Sequence, residues 1–208
     1  MKDLIIVGAG GFGREVLQCV KDINHLEKKW NIKGFIDDNT DALENIECDY
    51  KVIGTVKDWI PNKNEIFVCA VAGPKAKEMI VNILKDKGAR FQTIISPRAY
   101  ISDFVTIGEG TVITGNSIGP NVVLGQFTSI MGSMIGQQSV IGDYTTTTGY
   151  TNVVSATIGK RVFLGSHSII MNNCNVGDDA FVCVGSVVIR NVKSGTKVFG
   201  NPAKKVDF

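Results

Sequence analysis

The residues best placed to do chemistry come early in the chain. Gly8-Ala9-Gly10-Gly11-Phe12-Gly13 follows the short apolar run Leu4-Ile5-Ile6-Val7 and precedes a helical stripe at Val16, Leu17, Val20 and Ile23. Glycines between a strand and a helix free backbone N–H groups at the helix N-terminus, which suits an anionic phosphate. A second apolar run, Ile32 to Ile36, ends in Asp37-Asp38, where a carboxylate can accept hydrogen bonds from a ribose or a base. The Gly8-x-Gly10-x-x-Gly13 spacing fits a dinucleotide, a nucleotide-linked sugar, or a purely structural turn. A dinucleotide is disfavoured because the region is short for two nucleotide-binding halves and Asp37 falls late after the glycines. Asp37-Asp38 also has a plain reading as the turn that ends a strand.

The other reactive side chains are few. The chain has two histidines and five cysteines in 208 residues. That excludes a histidine-rich metal centre and leaves His25 and His167 as the candidates for a histidine base. His25 stands beside Glu27, Lys28 and Lys29 and reads as a solvated surface residue. Cys19, Cys48, Cys69, Cys174 and Cys183 are widely spaced with no CxxC, which fits reduced thiols used as small apolar side chains and argues against a disulfide frame or a zinc site. Lys and Arg total 22 against 20 Asp and Glu, a net charge of +2. A nucleic-acid binder held by phosphate contacts needs a larger basic excess. No apolar run approaches the roughly 18–20 residues of a membrane span, and Met1-Lys2-Asp3-Leu4 lacks the features of a signal peptide. The expectation is a cytoplasmic protein with no nucleic-acid partner and no metal.

The elements that must position these residues fall into two halves. Before Ile94-Ile95-Ser96-Pro97 the pattern alternates strand-like and helix-like segments. Besides the two runs above, Lys51–Ile53 and Glu65–Val71 read as strands, and Lys75–Lys87 carries Met79, Ile80, Ile83 and Leu84 on one helical face. Pro74 opens that helix and Gly88 stops it, and Phe91–Ile95 closes the unit. Residues 1–94 are therefore expected to form a small Rossmann-like α/β domain on a parallel sheet.

Residues 95–208 follow a different rule. Aliphatics recur every six positions, at Ile101, Ile107, Ile113, then Ile118, Leu124, Ile130, then Ile135, Ile141, then Ile158, Leu164, Ile170, Val176, Val182 and Val188. Small or β-branched residues stand four places after most of them, with Met134 as the misfit. A six-residue period is neither helical nor that of an ordinary strand. It describes a parallel β-helix of three short strands per coil, with each large aliphatic pointing into a narrow triangular core. One-residue slips at Ile118, Ile135 and Ile158 are tolerable if they fall at turns. The array is weakest over Thr147–Val153, where a loop or irregular turn is expected.

These isoleucine-led hexapeptides resemble the left-handed parallel β-helix acyltransferases. Val198-Phe199-Gly200-Asn201-Pro202-Ala203-Lys204 is similar to the segment that follows the β-helix in acetyl-CoA-dependent members. The glycine loop and Phe35-Ile36-Asp37-Asp38 resemble the N-terminal domain of the sugar acetyltransferase branch, which N-acetylates nucleotide-linked 4-amino-4,6-dideoxy sugars or O-acetylates sialic acid. The resemblance implies a sugar-nucleotide site at Gly10, Gly11, Phe12, Asp37, Asp38 and Ala72. It implies acetyl-CoA along the β-helix at Thr146, Ser166 and Val184, at a subunit boundary of a homotrimer.

One departure bears on mechanism. The family's histidine base and its acidic partner match Gln137 and Gln138, in Gly136-Gln137-Gln138-Ser139-Val140-Ile141-Gly142-Asp143-Tyr144. Glutamine cannot act as a base, and loss of a positioned base costs roughly 10²–10⁴ in rate. A hydroxyl acceptor suffers more from that loss than an amine, which can reach the site already neutral. Gln137 is then left to orient the acceptor. His167 is the alternative base: hexapeptide counting puts it on another corner of the prism, almost two coils from Gln137, so the two could meet only across a subunit boundary. The favoured expectation is N-acetylation of a nucleotide-linked amino sugar. A catalytically silent homologue that binds a sugar nucleotide, and a sialic-acid-type O-acetyltransferase, are the alternatives.

Overall fold

The computed structural model describes residues 1–207. The α/β unit runs β1 (Lys2–Val7), α1 (Gly11–Leu26), β2 (Trp30–Ile36), β3 (Val52–Gly54), β4 (Glu65–Cys69) and α2 (Pro74–Asp86). Its sheet has the order β3-β2-β1-β4 and is parallel throughout. Leu4, Ile5, Ile6 and Val7 are all fully buried because helices cover both faces of the sheet. Leu4 and Ile6 pack with Val16, Leu17 and Val20 of α1, whereas Ile5 and Val7 pack with Leu84 and Ile80 of α2.

The second half is a triangular prism of three sheets, parallel but for the antiparallel pairing of Val198–Phe199 with Lys204–Lys205 at the end of one face. The eight-stranded face begins at Ile94–Ile95, the six-stranded face at Ala99–Ile101 and the five-stranded face at Thr106–Ile107. The hexapeptide aliphatics form the ladders that fill it, with Ile113, Ile118, Leu124, Ile130, Ile135 and Ile141 at most 1% exposed. The one-residue slips do fall between strands, so Ile118 stays paired with Ile135, and Ile141 with Ile158. Coils lie so close that a Cβ on Gly142 would come within 2.6 Å of Gly159.

Ile94 joins the core of the α/β unit while Ile95 packs against that of the prism, and the two share one short strand. Phe91 is bridged to Phe67 next to β4. The passage between the units is therefore a common rung, so the prism's first coil is held in register with the α/β sheet. Among the described residues, no helix is long and apolar enough to cross a membrane.

Two sequence expectations are corrected here. Thr147–Val153 is not irregular: Thr146–Thr147 and Asn152–Val153 are regular rungs on either side of a turn. Thr147 enters the core in place of an aliphatic because its hydroxyl is satisfied there, meeting Ser133 Oγ at 2.8 Å. Ser133 Oγ in turn donates to the Thr148 carbonyl at 2.9 Å. Met134 is not a misfit in the small-residue role either. The slip before Ile135 hands that role to the fully buried Ser133, and Met134 points outward, 49% exposed.

The ladder predicts a local, sizeable penalty for truncation. Ile141→Ala should lower unfolding stability by about 2–5 kcal/mol, the range for a buried aliphatic whose site collapses incompletely. Equilibrium urea unfolding checks it.

Candidate functional site

The glycine loop is built by close approach. Gly8 takes φ +102°, and a Cβ there would sit 2.9 Å from the Ala70 carbonyl oxygen. A Cβ on Gly13 would collide with the Gly8 carbonyl, so α1 starts directly against the turn. Gly10 caps α1, and a Cβ added to Gly10 meets nothing within 4 Å. The exposed Gly10 and Gly11 therefore open the N-terminal amides of α1 to solvent. Asp37 is spent largely on this loop: Oδ2 accepts from the Ala9 amide at 2.8 Å and Oδ1 from the Asn39 amide at 2.9 Å. Asp38 Oδ1 accepts from the Val56 amide at 2.9 Å. Gly10, Gly11, Phe12, Asp37, Asp38 and Ala72 thus gather beyond the carboxyl ends of β1, β2 and β4, where open parallel sheets form a crevice.

Ala72 also touches the prism. Its carbonyl accepts from Thr146 Oγ1 at 2.7 Å, and Thr146 is fully buried. The neighbouring contact is Lys77 of α2, itself 1% exposed. Its ammonium donates to Ser129 Oγ at 2.7 Å, Thr146 Oγ1 at 2.9 Å and the Phe127 carbonyl at 3.1 Å. The Thr145 carbonyl is a fourth, longer contact at 3.5 Å, and no carboxylate is among these acceptors. Burial pulls the Lys77 pKa down to about 7, with the nearby Cys69 thiol a weaker opposing influence.

Beyond this junction the same face holds a cavity of about 510 Å³, lined by Thr148, Phe163, Ser166, Phe181, Val184 and Phe199. Phe163 and Phe181 stack at 4.9 Å between centroids, with 11° between ring planes. They sit one coil apart, each preceding an inward aliphatic, Leu164 or Val182. At the rim Thr148 Oγ1 and Ser166 Oγ are 3.1 Å apart. Next to the phenyl pair, Arg161 holds Asp179 through two contacts of 2.9 Å and reaches Glu78 at 3.4 Å. This paired Asp179 carboxyl lies below its usual pKa, mainly through the Arg161 bond. An apolar trough with a hydroxyl rim suits a slender, largely apolar chain that carries a few hydrogen-bonding groups.

The structure brings some of the expected residues together and separates others. Ser166 and Val184 both line the cavity, and Val184 is 60% exposed. Thr146 offers no surface there, since its hydroxyl is committed to Ala72 and Lys77. Thr148, two residues on, borders the cavity instead. Gln137 and Gln138 are exposed on the edge between the six- and five-stranded faces, away from the cavity's face. Ser155 Oγ donates to the Gln137 carbonyl at 3.0 Å. His167 lies on the edge between the eight- and six-stranded faces, so within one chain it does not meet Gln137.

Lys77 and the phenyl pair went unnoticed in the sequence. A lysine within an amphipathic stripe gives no sign of burial. The aromatics could have been found from their 18-residue separation, one coil, next to each inward aliphatic. Among the described residues there is no cluster of three or more His, Cys, Asp or Glu able to hold a metal.

Residues 3–84 match the PglD N-terminal domain family. The acetyltransferase domain of PglB from Neisseria gonorrhoeae, 22% identical, superposes with a TM-score of 0.89 over 99% of this chain and 100% of that one. A perosamine N-acetyltransferase from Caulobacter crescentus, solved with CoA and GDP-perosamine, is 19% identical with a TM-score of 0.89, over 100% of this chain and 98% of that one. WeeI from Acinetobacter baumannii is 26% identical, with a TM-score of 0.77 over 99% and 100% of the two chains. Serine acetyltransferase 4 of Arabidopsis thaliana is 41% identical over 51 residues, 24% of this chain and only 14% of that protein. The fold is that of the hexapeptide-repeat sugar acetyltransferases: a PglD-type α/β unit carrying a left-handed β-helix.

The Lys77 junction predicts a pH signature. Its folded pKa lies below the ordinary 10.5, so between these values the unfolded chain binds more protons and stability rises with pH. Buried Cys19 and Cys69, both pushed up to about 11 from 9, oppose this only above their ordinary value. Thermal midpoints should therefore climb from pH 7 to 9 in the unmodified protein. In Lys77→Met the climb should flatten, and the overall midpoint should drop because buried acceptors lose their donor, at about 1–3 kcal/mol each.

Proposed function

We propose that this chain is an acetyl-CoA-dependent acyltransferase that N-acetylates an amino group of a nucleotide-linked sugar. The observation that carries this reading is the roughly 510 Å³ apolar trough on the prism, bounded by Ser166 and Val184 at coil turns and walled by Phe163 and Phe181. Its shape and lining suit the pantetheine arm of a thioester. The perosamine N-acetyltransferase that shares the fold was solved with CoA and a GDP-linked sugar, which supports both halves of the proposal.

In this reading the nucleotide-linked sugar occupies the crevice of the α/β unit. The amides of Gly10 and Gly11 at the start of α1 face its phosphates, where the helix dipole favours negative charge. Phe12 and Ala72 border the nucleoside, and Asp37 and Asp38 present their remaining lone pairs to its hydroxyls. The thioester carbonyl lies at the coil turns, where backbone N–H groups stabilise the oxyanion as the amine attacks. Gln137 hydrogen-bonds the acceptor and holds it in line, which is within the reach of a neutral amide.

The reading includes a homotrimer. Gln137 and the cavity lie on different faces of one prism, and a neighbouring copy brings the two edges together. It also includes a cytoplasmic site of action, consistent with five free cysteines in a reducing compartment.

Thermal-shift titration tests binding. Saturating acetyl-CoA at about 100 times its Kd should add about 2.7 kcal/mol of stability, and Val184→Glu should abolish that gain by placing a charge in the trough. Coenzyme A release should follow when UDP-, GDP- or dTDP-linked 4-amino-4,6-dideoxy sugars are supplied. Acetyl-CoA binding without release for any acceptor would overturn the acyltransferase reading in favour of a silent sugar-nucleotide binder.

A further inference from the structure

The prism edge beside the apolar cavity has a second side. Successive coils turn from the eight-stranded to the six-stranded face at Thr148-Gly149-Tyr150 and at Gly165-Ser166-His167. Thr148 and Ser166 line the cavity, whereas Tyr150 and His167 line a separate cleft of about 260 Å³. Ser166 and His167 are consecutive, so their Cα atoms are only about 3.8 Å apart. The backbone of His167 thus adjoins the proposed thioester site, while its imidazole lies in the cleft on the other side of the same edge. His25, the other histidine, is in the last turn of α1 on the α/β unit.

The composition of this edge singles out these two coils. Left-handed φ values occur along it at Asn116, Gly132, Tyr150, His167 and Gly185. Glycine takes that conformation freely, while bulky side chains are strained in it. Tyr150 and His167, at φ 61° and 59°, place rings where the coils above and below have glycine. Those rings pack at 5.0 Å between centroids, 31° apart. Both residues are exposed, Tyr150 by 73%. The rest of the cleft is Asn116, Met134, Asn152, Ile169 and the buried Thr151. Tyr150 is the other titratable group facing the imidazole, and no Asp, Glu, Lys or Arg among the described residues lines the cleft.

We propose that His167 is the base that takes the proton from the acceptor amine, reached from the cleft beside the cavity, and that Tyr150, packed against it, is the positioning residue that orients the imidazole on this edge. This rests on the acyltransferase reading. The neutral amine nitrogen bonds to the thioester carbonyl carbon, and the resulting N–H proton passes to His167. The tetrahedral adduct then collapses with cleavage of the C–S bond. The departing thiolate takes that proton back from the imidazolium, leaving an amide, coenzyme A and neutral His167. Gln137, whose side-chain amide has no basic lone pair to offer, is thereby relieved of a role it cannot fill.

The test uses the full chain with acetyl-CoA and the panel of nucleotide-linked 4-amino sugars. In His167→Gln, calorimetric affinity for acetyl-CoA should stay within about threefold while kcat drops by roughly 10²–10⁴. In His167→Ala, added imidazole should restore turnover in proportion to its neutral fraction, which a purely structural role would not produce. Tyr150→Phe should keep kcat, and Tyr150→Ala should lower it by about tenfold with acetyl-CoA affinity unchanged. A His167→Gln enzyme with kcat within about threefold of the unmodified protein, or an absence of imidazole rescue, overturns the assignment alone. Failure of the unmodified protein to bind acetyl-CoA overturns the acyltransferase reading and this assignment together.

Discussion

A buried ammonium group ties α2 to the prism, alongside the shared strand Ile94–Ile95 and the Arg161–Glu78 contact. Lys77 carries its charge out of water on α2 and into the eight-stranded face of the prism, where hydroxyls and a carbonyl receive all three of its protons. Withdrawing a charge from water without a counter-ion is unfavourable, which is why burial lowers the Lys77 pKa, and the hydrogen bonds limit that cost. That dependence makes the junction geometrically exacting, since a shift of α2 relative to the coils would leave donors and acceptors unmatched inside a dry interface. The Thr146 hydroxyl adds a second constraint by accepting from Lys77 while donating to Ala72. The loop after β4, which borders the crevice beyond the sheet, is thereby tied to the rungs that lead to the cavity.

The prism supplies the complementary rigidity. Each coil is held to the next by parallel pairing and by an inward aliphatic, and its corners are held in left-handed backbone by residues such as Gln138, Tyr144 and His167. In such a one-dimensional stack each element is positioned by its neighbours. Outward side chains on consecutive coils therefore align, and Phe163 stacks on Phe181 without any dedicated packing element. The same regularity lets one edge carry a cavity on one side and the Tyr150–His167 cleft on the other.

The hexapeptide rule located the aliphatics because their burial is dictated by period alone. It misjudged Thr147, which has the shape of valine but a hydroxyl that needs a partner, and the partner Ser133 is visible only when the coils are stacked. It also treated Met134 as a defect, because a slip of one residue is ambiguous until the turn that absorbs it is known. The glycine loop and Asp37 were legible as a crevice beyond the sheet, but the commitment of Asp37 to the Ala9 amide was not.

The sequence by itself determined the two-part architecture, the inward face of the aliphatic-led coils and the placing of the glycine loop and Asp37 at strand ends, because hydrophobic period and glycine placement are local and repeat. Only the tertiary structure decided that Lys77 is buried, that Thr148 rather than Thr146 borders the cavity, and that His167 packs against Tyr150 in a separate cleft. Those outcomes depend on which residues of distant segments come within a few ångströms of one another. A one-dimensional pattern carries no record of that, since the same amphipathic stripe accommodates a buried lysine or a solvated one until the opposing surface is in place.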